Sequence, residues 1–380
     1  TRKESSAASD VYKRQGLGER RVNCDGKFML KRWRGAIRFG MGSRICGGPG
    51  GRISAFSTHQ LSRIMTPLTF RFRSAVATLA LVLPCVSEGA TLVALPTFGG
   101  GDGTLVPADY GGGAVSTANT ERQIAFNPAT GNLALVSRQT ANRVDIINGT
   151  TGAYVKTMTA PVGGYTSAVL NITGVGISQD GQIFTSNLAD GSNATAGNRV
   201  LSVYRWSGET STDPAAVSTY TLTTGLRLGD AMDAYGTGAS ASVMLGVNDT
   251  AAGTSHPGDD GFAILNPFTS ESFAMVDATS GSISSAFRLT SAFVDGDTAI
   301  GSQNGVTRVA EFSAGAITSI AAVTGPATTE RHADVVTIGG VQYLATLASL
   351  DATVRNRVSI WELNGTTATL LTQANLLGVG

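Results

Sequence analysis

Residues 121–158 read as four short strands separated by three turns, and this layout constrains the fold more than any other feature. The turns are marked by NPATGN and NGTTG, in which proline fixes φ and glycine accepts positive φ. A single four-stranded meander leaves apolar surface on both faces, so it needs neighbouring sheets to cover it. Similar layouts recur about every 50 residues along the chain, which is typical of a β-propeller.

The later segments repeat the pattern of four apolar runs between polar turns. The predicted blades span residues 121–158, 170–222, 226–278, 286–323 and 330–373. Five blades close a ring in some propellers, whereas repeats of this length usually need six or seven. We therefore predict an all-β propeller of four-stranded antiparallel blades. Five blades are visible, the parent is expected to have six or seven, and the C-terminus is interpreted as a truncation.

Residues 1–64 differ in composition from the rest of the chain. Residues 5–15, SSAASDVYKRQ, resemble a translated sequencing adapter of the kind found in metagenomic reading frames, and we interpret them as an artefact. Residues 16–64 are basic and rich in Arg and Gly, and they show no helical or strand period. A nucleic-acid-binding arm has such a composition. Non-native or disordered chain is the favoured interpretation of residues 1–64.

Residues 65–90 have the three-part pattern of a secretory signal peptide. A short region with Arg71 and Arg73 precedes an apolar run of 13 residues, 74–86, and small residues then offer a cleavage site. The run is too short to cross a bilayer as a helix. The sequence thus predicts a secreted protein, extracellular, periplasmic or on the cell surface, without a transmembrane segment.

Charge and cysteine content separate the two parts of the chain. Residues 1–90 contain 16 Lys and Arg against 5 Asp and Glu, whereas residues 91–380 contain 12 against 22. An acidic mature part disfavours nucleic acid as a partner. All three cysteines precede residue 91, so the mature part has no disulfide framework. Residues 91–120 form a Gly-rich lead-in with a candidate ring-closing strand, and residues 121–380 form the propeller domain.

Four motifs in chain order resemble a group of secreted bacterial propellers of unknown function and, more loosely, the YVTN and NHL repeat propellers. The motifs are ERQIAFNPATGNLALVSR, LNITGVGISQDGQIFTSNL, VYRWSGE and RLGDAMDAYGTG. The resemblance implies a seven-bladed fold and export. It transfers no catalytic residues to this chain.

Histidine is scarce in the mature part, which weakens the case for an enzyme. A Ser/His/Asp triad would need His256 or His332, and no G-x-S-x-G motif occurs. We therefore predict a binding or interaction module with an extracellular protein, a glycan or a small anion as partner, monomeric when complete. The alternatives are a lactonase- or phytase-like propeller hydrolase and a structural surface protein.

Acidic loops have two interpretations. Asp259, Asp260, Asp295 and Asp297 bring together carboxylates of the kind that Ca²⁺ binds. Asp and Gly are equally the expected composition of a tight hairpin turn, which is the favoured interpretation. No other metal and no cofactor is predicted.

Two tryptophans and three other apolar residues are predicted to pack between blades. Trp206 and Trp361 occupy matching third strands, and blade packing is favoured over sugar binding for both. Phe126, Ile177 and Val335 lie on the predicted inner strands, where burial of a large apolar side chain contributes about 1.5 to 3 kcal/mol.

The candidate site is a set of arginines at the starts of predicted inner strands. Because inner strands surround the axis of a propeller, these side chains should meet at one mouth of the channel. The structural interpretation is that each guanidinium bridges to a carboxylate of the adjacent blade. The functional interpretation is a site for an anion or an acidic glycan. Its predicted residues are Arg122, Asn171, Arg227, Asp230, Arg288, Arg331, His332 and Asp334.

Overall fold

The structure is a computed structural model. It describes residues 29–30, 39–40, 92, 95–111, 113, 115, 120–165, 169–193, 195–222, 225–249, 261–269, 272–278, 287–303, 305–326, 330–348 and 357–375. Three predictions fall outside these residues: the signal region, His256, and the calcium candidates Asp259 and Asp260. Of residues 1–64, the structure describes one strand pair. That pair joins β1 (Met29–Leu30) and β2 (Phe39–Gly40).

Every regular element in the described residues is a strand or a short 3-10 turn, which confirms the all-β prediction. The turns are Gly99–Gly101, Ala196–Arg199 and Gly238–Ser240. No helix in this part of the chain is long and apolar enough to cross a membrane.

From residue 121 onward, the strands form five successive four-stranded antiparallel units, numbered I to V. Unit I contains β3 (Glu121–Phe126), β4 (Leu133–Ser137), β5 (Arg143–Ile147) and β6 (Tyr154–Thr157). Unit II contains β7 (Leu170–Ile177), β8 (Ile183–Asp190), β9 (Val200–Trp206) and β10 (Ala216–Thr221). Unit III contains β11 (Leu226–Tyr235), β12 (Ser242–Asp249), β13 (Phe262–Leu265) and β14 (Ala274–Ala278). Unit IV contains β15 (Ser291–Phe293), β16 (Thr298–Gln303), β17 (Val306–Ser313) and β18 (Ala316–Ala322). Unit V contains β19 (Glu330–Ile338), β20 (Val341–Ala348), β21 (Arg357–Asn364) and β22 (Thr367–Asn375).

The first strand of each unit lies beside the first strand of the next, in the order β3, β7, β11, β15 and β19. Successive antiparallel meanders with adjacent first strands are the arrangement of propeller blades. Among the described residues three further pairings join neighbouring units: β8 pairs with β11, β14 pairs in parallel with β18, and an isolated parallel bridge joins Thr324 to Thr367.

Large aromatic side chains fill the contacts between consecutive units. Trp206 is fully buried in a cluster with Val144 and Ile146 of unit I. Trp361 is buried in a cluster with Ala292 and Ile300 of unit IV. Both tryptophans therefore pack between units, as predicted.

The inner-strand residues behave differently from one another. Ile177 is buried in the cluster between units I and II, and Val335 packs against the cluster between units IV and V, as predicted. Phe126 instead packs on the opposite face of unit I, against the cluster of Leu95 and Phe98. The prediction for Phe126 was wrong because successive strand residues face opposite sides, and Ala125 is the one that faces unit II.

The Gly-rich lead-in contacts both the first and the last unit. Leu95 and Phe98 belong to a buried cluster with unit I, and the Gly99 N–H donates to the Thr151 carbonyl at 3.1 Å. Leu92 packs against a cluster of unit V that contains Leu347, Val358 and Ile360. In the described part of the lead-in the one regular element is the 3-10 turn Gly99–Gly101, and the candidate ring-closing strand is not among the strands found there.

Candidate functional site

The residues predicted at strand starts occupy equivalent positions in the structure. Arg122, Asn171, Arg227 and Arg331 are each the second residue of a first strand, whereas Arg288 precedes β15. The first strands of units I, II, III and V all shift register against the second strand near their starts. Such bulges change the direction of side chains locally and occur often beside functional sites.

Asp230 is the carboxylate at which two of these arginines meet. Arg227 donates from Nε to Oδ2 and from Nη2 to Oδ1, both at 2.8 Å, and Arg288 donates from Nε to Oδ2 at 3.0 Å. The Asp230 side chain is 15% exposed. Burial alone would raise the pKa of Asp230, but the hydrogen bonds and charges of the two arginines outweigh it and lower the pKa. The hydrogen bonds from Arg227 to Asp230 in turn raise the pKa of Arg227.

Two arginines of unit I complete the group. The pKa of half-buried Arg122 is lowered, first by burial and then by the positive charge of Arg138, while the charge of Asp230 acts in the opposite direction. Arg138 follows β4, and burial lowers its pKa as well. We name Arg122, Arg138, Arg227 and Arg288, together with Asp230, the arginine cluster.

Sequence reasoning missed Arg138. Its backbone N–H donates to the Thr120 carbonyl at 3.1 Å, so Arg138 lies across the hairpin from the start of β3. The signal was present in the sequence, because the strand LALVS ends directly before Arg138 and pairs with the strand that carries Arg122.

The backbone around Asp230 is held by contacts from units I and II. The Thr173 hydroxyl donates to the Gly229 carbonyl at 2.8 Å, and Gln123 Nε2 donates to the Met232 carbonyl. Gly229 has a φ of +100°, and a Cβ at this position would lie 2.2 Å from the Asn187 carbonyl oxygen. Glycine is therefore required immediately before Asp230.

The remaining predicted residues lie on the first strands of units II and V. Asn171 is half-buried on β7. His332 is buried, with Nδ1 3.3 Å from the Thr290 hydroxyl, and Asp334 Oδ1 accepts the Val335 N–H at 2.9 Å. The Arg331 side chain lies outside the described part of the structure.

The two described calcium candidates form a hairpin turn. Asp295 Oδ1 accepts the Asp297 N–H at 3.2 Å between β15 and β16. The described residues contain no group of three or more His, Cys, Asp or Glu side chains placed to hold a metal ion.

The chain is similar to several solved structures, with which it shares little sequence identity. No protein-family model matches the chain, and no curated protein matches it. A DUF4623 family protein from Bacteroides eggerthii is 15% identical at a TM-score of 0.49, over 69% of this chain and 61% of that one. The Malassezia sympodialis allergen Mala s 1 is 9% identical at a TM-score of 0.45, over 68% and 79% of the two chains. The β-propeller domain of Myceliophteria thermophila Cps50 is 10% identical at a TM-score of 0.38, over 68% and 73%. The fold assignment rests on the strand pairing described above.

Proposed function

We propose that this protein is an exported binding module that takes a small anion, or the carboxylate of an acidic glycan, at the arginine cluster. The cluster is expected to lie at one mouth of the channel that the first strands surround. The observation that carries the proposal is a group of arginines with a single carboxylate: Arg227 and Arg288 both bind Asp230, and the half-buried Arg122 lies within electrostatic range of Arg138, Arg227 and Asp230.

Electrostatics supports an anionic ligand. Burial and the neighbouring positive charges lower the pKa of Arg122, so adding negative charge there relieves repulsion between like charges. Charge-assisted hydrogen bonds from arginine to carboxylate or phosphate are about twice as strong as neutral ones. The pairing of Arg227 with Asp230 shows that this backbone can present a guanidinium to a carboxylate with two parallel bonds.

The scaffold supports binding by preformed groups. Arg122 and Arg227 lie on strands, and Asp230 is fixed between Arg227 and Arg288. Side chains held on rigid elements lose little freedom on binding, which favours affinity. The blade loops beside this mouth are the expected source of specificity.

The double variant Arg122→Gln/Arg138→Gln tests the site. We expect it to weaken binding of citrate or glucuronate about 100-fold in isothermal titration calorimetry, because two charge-assisted hydrogen bonds of about 1.5 kcal/mol are lost. These positions are preferred to Arg227, whose removal would leave Asp230 without its bidentate partner.

Arg205→Gln is the matched control. Its guanidinium lies over the Phe268 ring at 4.2 Å from the ring centroid and donates to Gln182, so it is engaged elsewhere. Unchanged affinity in Arg122→Gln/Arg138→Gln, with the fold intact by circular dichroism, would place the binding site away from the cluster.

Export is tested separately. Expressed from Met65 in a Gram-negative host, the protein should appear outside the cytoplasm with a new N-terminus between Glu88 and Thr91, because residues 65–90 have signal-peptide character. Cell fractionation and N-terminal sequencing measure this. An uncleaved product retained in the cytoplasm would contradict export while leaving the anion site untouched.

A further inference from the structure

One row of hydroxyl side chains in unit IV faces unit V. Ala292, Ile300 and Val309 of unit IV pack against the cluster shared with unit V. Residues two positions apart in a strand lie on the same face. The residues two positions from these three apolar residues therefore face unit V as well. They form a second row, which consists of Thr290, Ser302 and Thr307.

Two of these hydroxyls are buried without hydrogen bonds. Ser302 is 0% exposed and Thr307 is 3% exposed. Within the described part of the chain, neither Ser302 Oγ nor Thr307 Oγ1 has a hydrogen-bond partner. Leaving a buried hydroxyl unsatisfied is destabilising, so two in one row need an explanation.

Unit V presents a polar row to the same contact. Thr346 and Ser359 lie two positions from Leu344 and Trp361, which pack toward unit IV. Both hydroxyls donate to the carboxylate of Glu330, Ser359 at 3.0 Å, and Glu330 is 1% exposed.

An arginine partly neutralises this carboxylate. Arg357 Nη2 lies 3.6 Å from Glu330 Oε1, and among the described residues Arg357 Nε is buried without a hydrogen-bond partner.

The two polar rows lie at the same end of the contact. In both units the polar row lies two residues nearer to the start of the first strand than the apolar row does. The hydrogen-bond contact between the Thr290 hydroxyl and His332 Nδ1, at 3.3 Å, joins the two sides. Strands β16 and β17 both lie against β19, which carries Glu330 and His332. We name Thr290, Ser302, Thr307, Glu330, Thr346 and Ser359 the polar layer.

We infer that the polar layer between units IV and V is a binding site for internal water, a role independent of the anion site. The bound molecule must be neutral, because the positive charge of Arg357 would repel a cation and the negative charge of Glu330 would repel an anion. It must both donate and accept hydrogen bonds, because Ser302 and Thr307 offer hydroxyls and Arg357 offers an N–H group. Water meets both requirements and commonly makes about three bonds to buried polar groups.

The test combines Thr307→Val with a crystal structure. Valine has the shape of threonine without the hydroxyl, so we expect Thr307→Val to lower the melting temperature by about 2 to 4 °C as one water-mediated bond is lost. Ser302→Ala should act in the same direction. Thr369→Val makes the same chemical change at an exposed position of β22 and should leave the melting temperature unchanged.

In a high-resolution crystal structure of the unaltered protein, we expect water density within hydrogen-bond distance of Ser302 Oγ and Thr307 Oγ1. A dry layer would give the opposite results. Both core variants would then raise the melting temperature, because each removes an unsatisfied hydroxyl, and the crystal would show no density between the rows. Either of these results overturns the inference.

Discussion

Trp206→Ala is expected to lower the free energy of unfolding by about 3 to 5 kcal/mol, because it removes the largest fully buried side chain between units I and II. The indole also joins the two units through its Nε1, which donates to the Thr159 carbonyl at 3.2 Å. Alanine would leave a cavity between the two sheets and an unpaired carbonyl beside it. Urea denaturation followed by fluorescence and circular dichroism measures the change.

Val217→Ala is the control for this prediction. Val217 lies on β10, which pairs directly with the strand of Trp206, and it is 50% exposed. Its truncation should cost less than about 0.5 kcal/mol, as is usual for surface positions. Similar effects of the two substitutions would show that units I and II do not pack through Trp206.

Asp230→Asn is expected to lower the free energy of unfolding by about 2 to 3 kcal/mol. It removes the charge that Arg227 and Arg288 share and leaves two guanidinium groups facing each other. Removing one partner of a fully buried pair costs about 3 to 5 kcal/mol. The smaller value applies here because the arginine side chains are 21% and 29% exposed, so solvent screens part of the repulsion.

The pH dependence of stability distinguishes this charge effect from a loss of packing. The folded-state pKa of Asp230 lies below the ordinary value of about 3.9. Its contribution is therefore present above about pH 4 and is lost as the pH falls from there through the lower folded-state pKa. Asp230→Asn should remove this part of the acid sensitivity. An identical fall in stability below pH 4 in both proteins would show that Asp230 is not the titrating group.

Turn chemistry and strand alternation were enough to predict the sheets. The segments NPATGN and SQDGQ mark hairpins that the structure places between β3 and β4 and between β7 and β8. The positions of Trp206 and Trp361 within their strands likewise indicated packing between units. These features are local, so they can be read from a few consecutive residues.

The Arg227–Asp230 pair could not be predicted from the alternation of residues along a strand. In a regular strand, residues three positions apart point to opposite faces, which would separate the two side chains. The register shift between Leu228 and Met232, with Gly229 in a left-handed conformation, brings them to the same side. A bulge of this kind has no signature in the alternation of apolar residues.

Long-range contacts account for the other differences. Phe126 packs on the lead-in because the cluster of Leu95 and Phe98 covers that face of unit I. The lead-in contacts unit V through Leu92, more than 250 residues away in the sequence. Such contacts depend on the arrangement of all five units, which no single motif specifies.

Anomalous diffraction from a bromide-soaked crystal tests whether the arginine cluster is an anion site. We expect a bromide peak within contact distance of Arg122 and Arg138, and its loss in crystals of Arg122→Gln/Arg138→Gln. Bromide bound at other arginines, such as Arg205, with no peak at the cluster would show that the cluster is not an anion site.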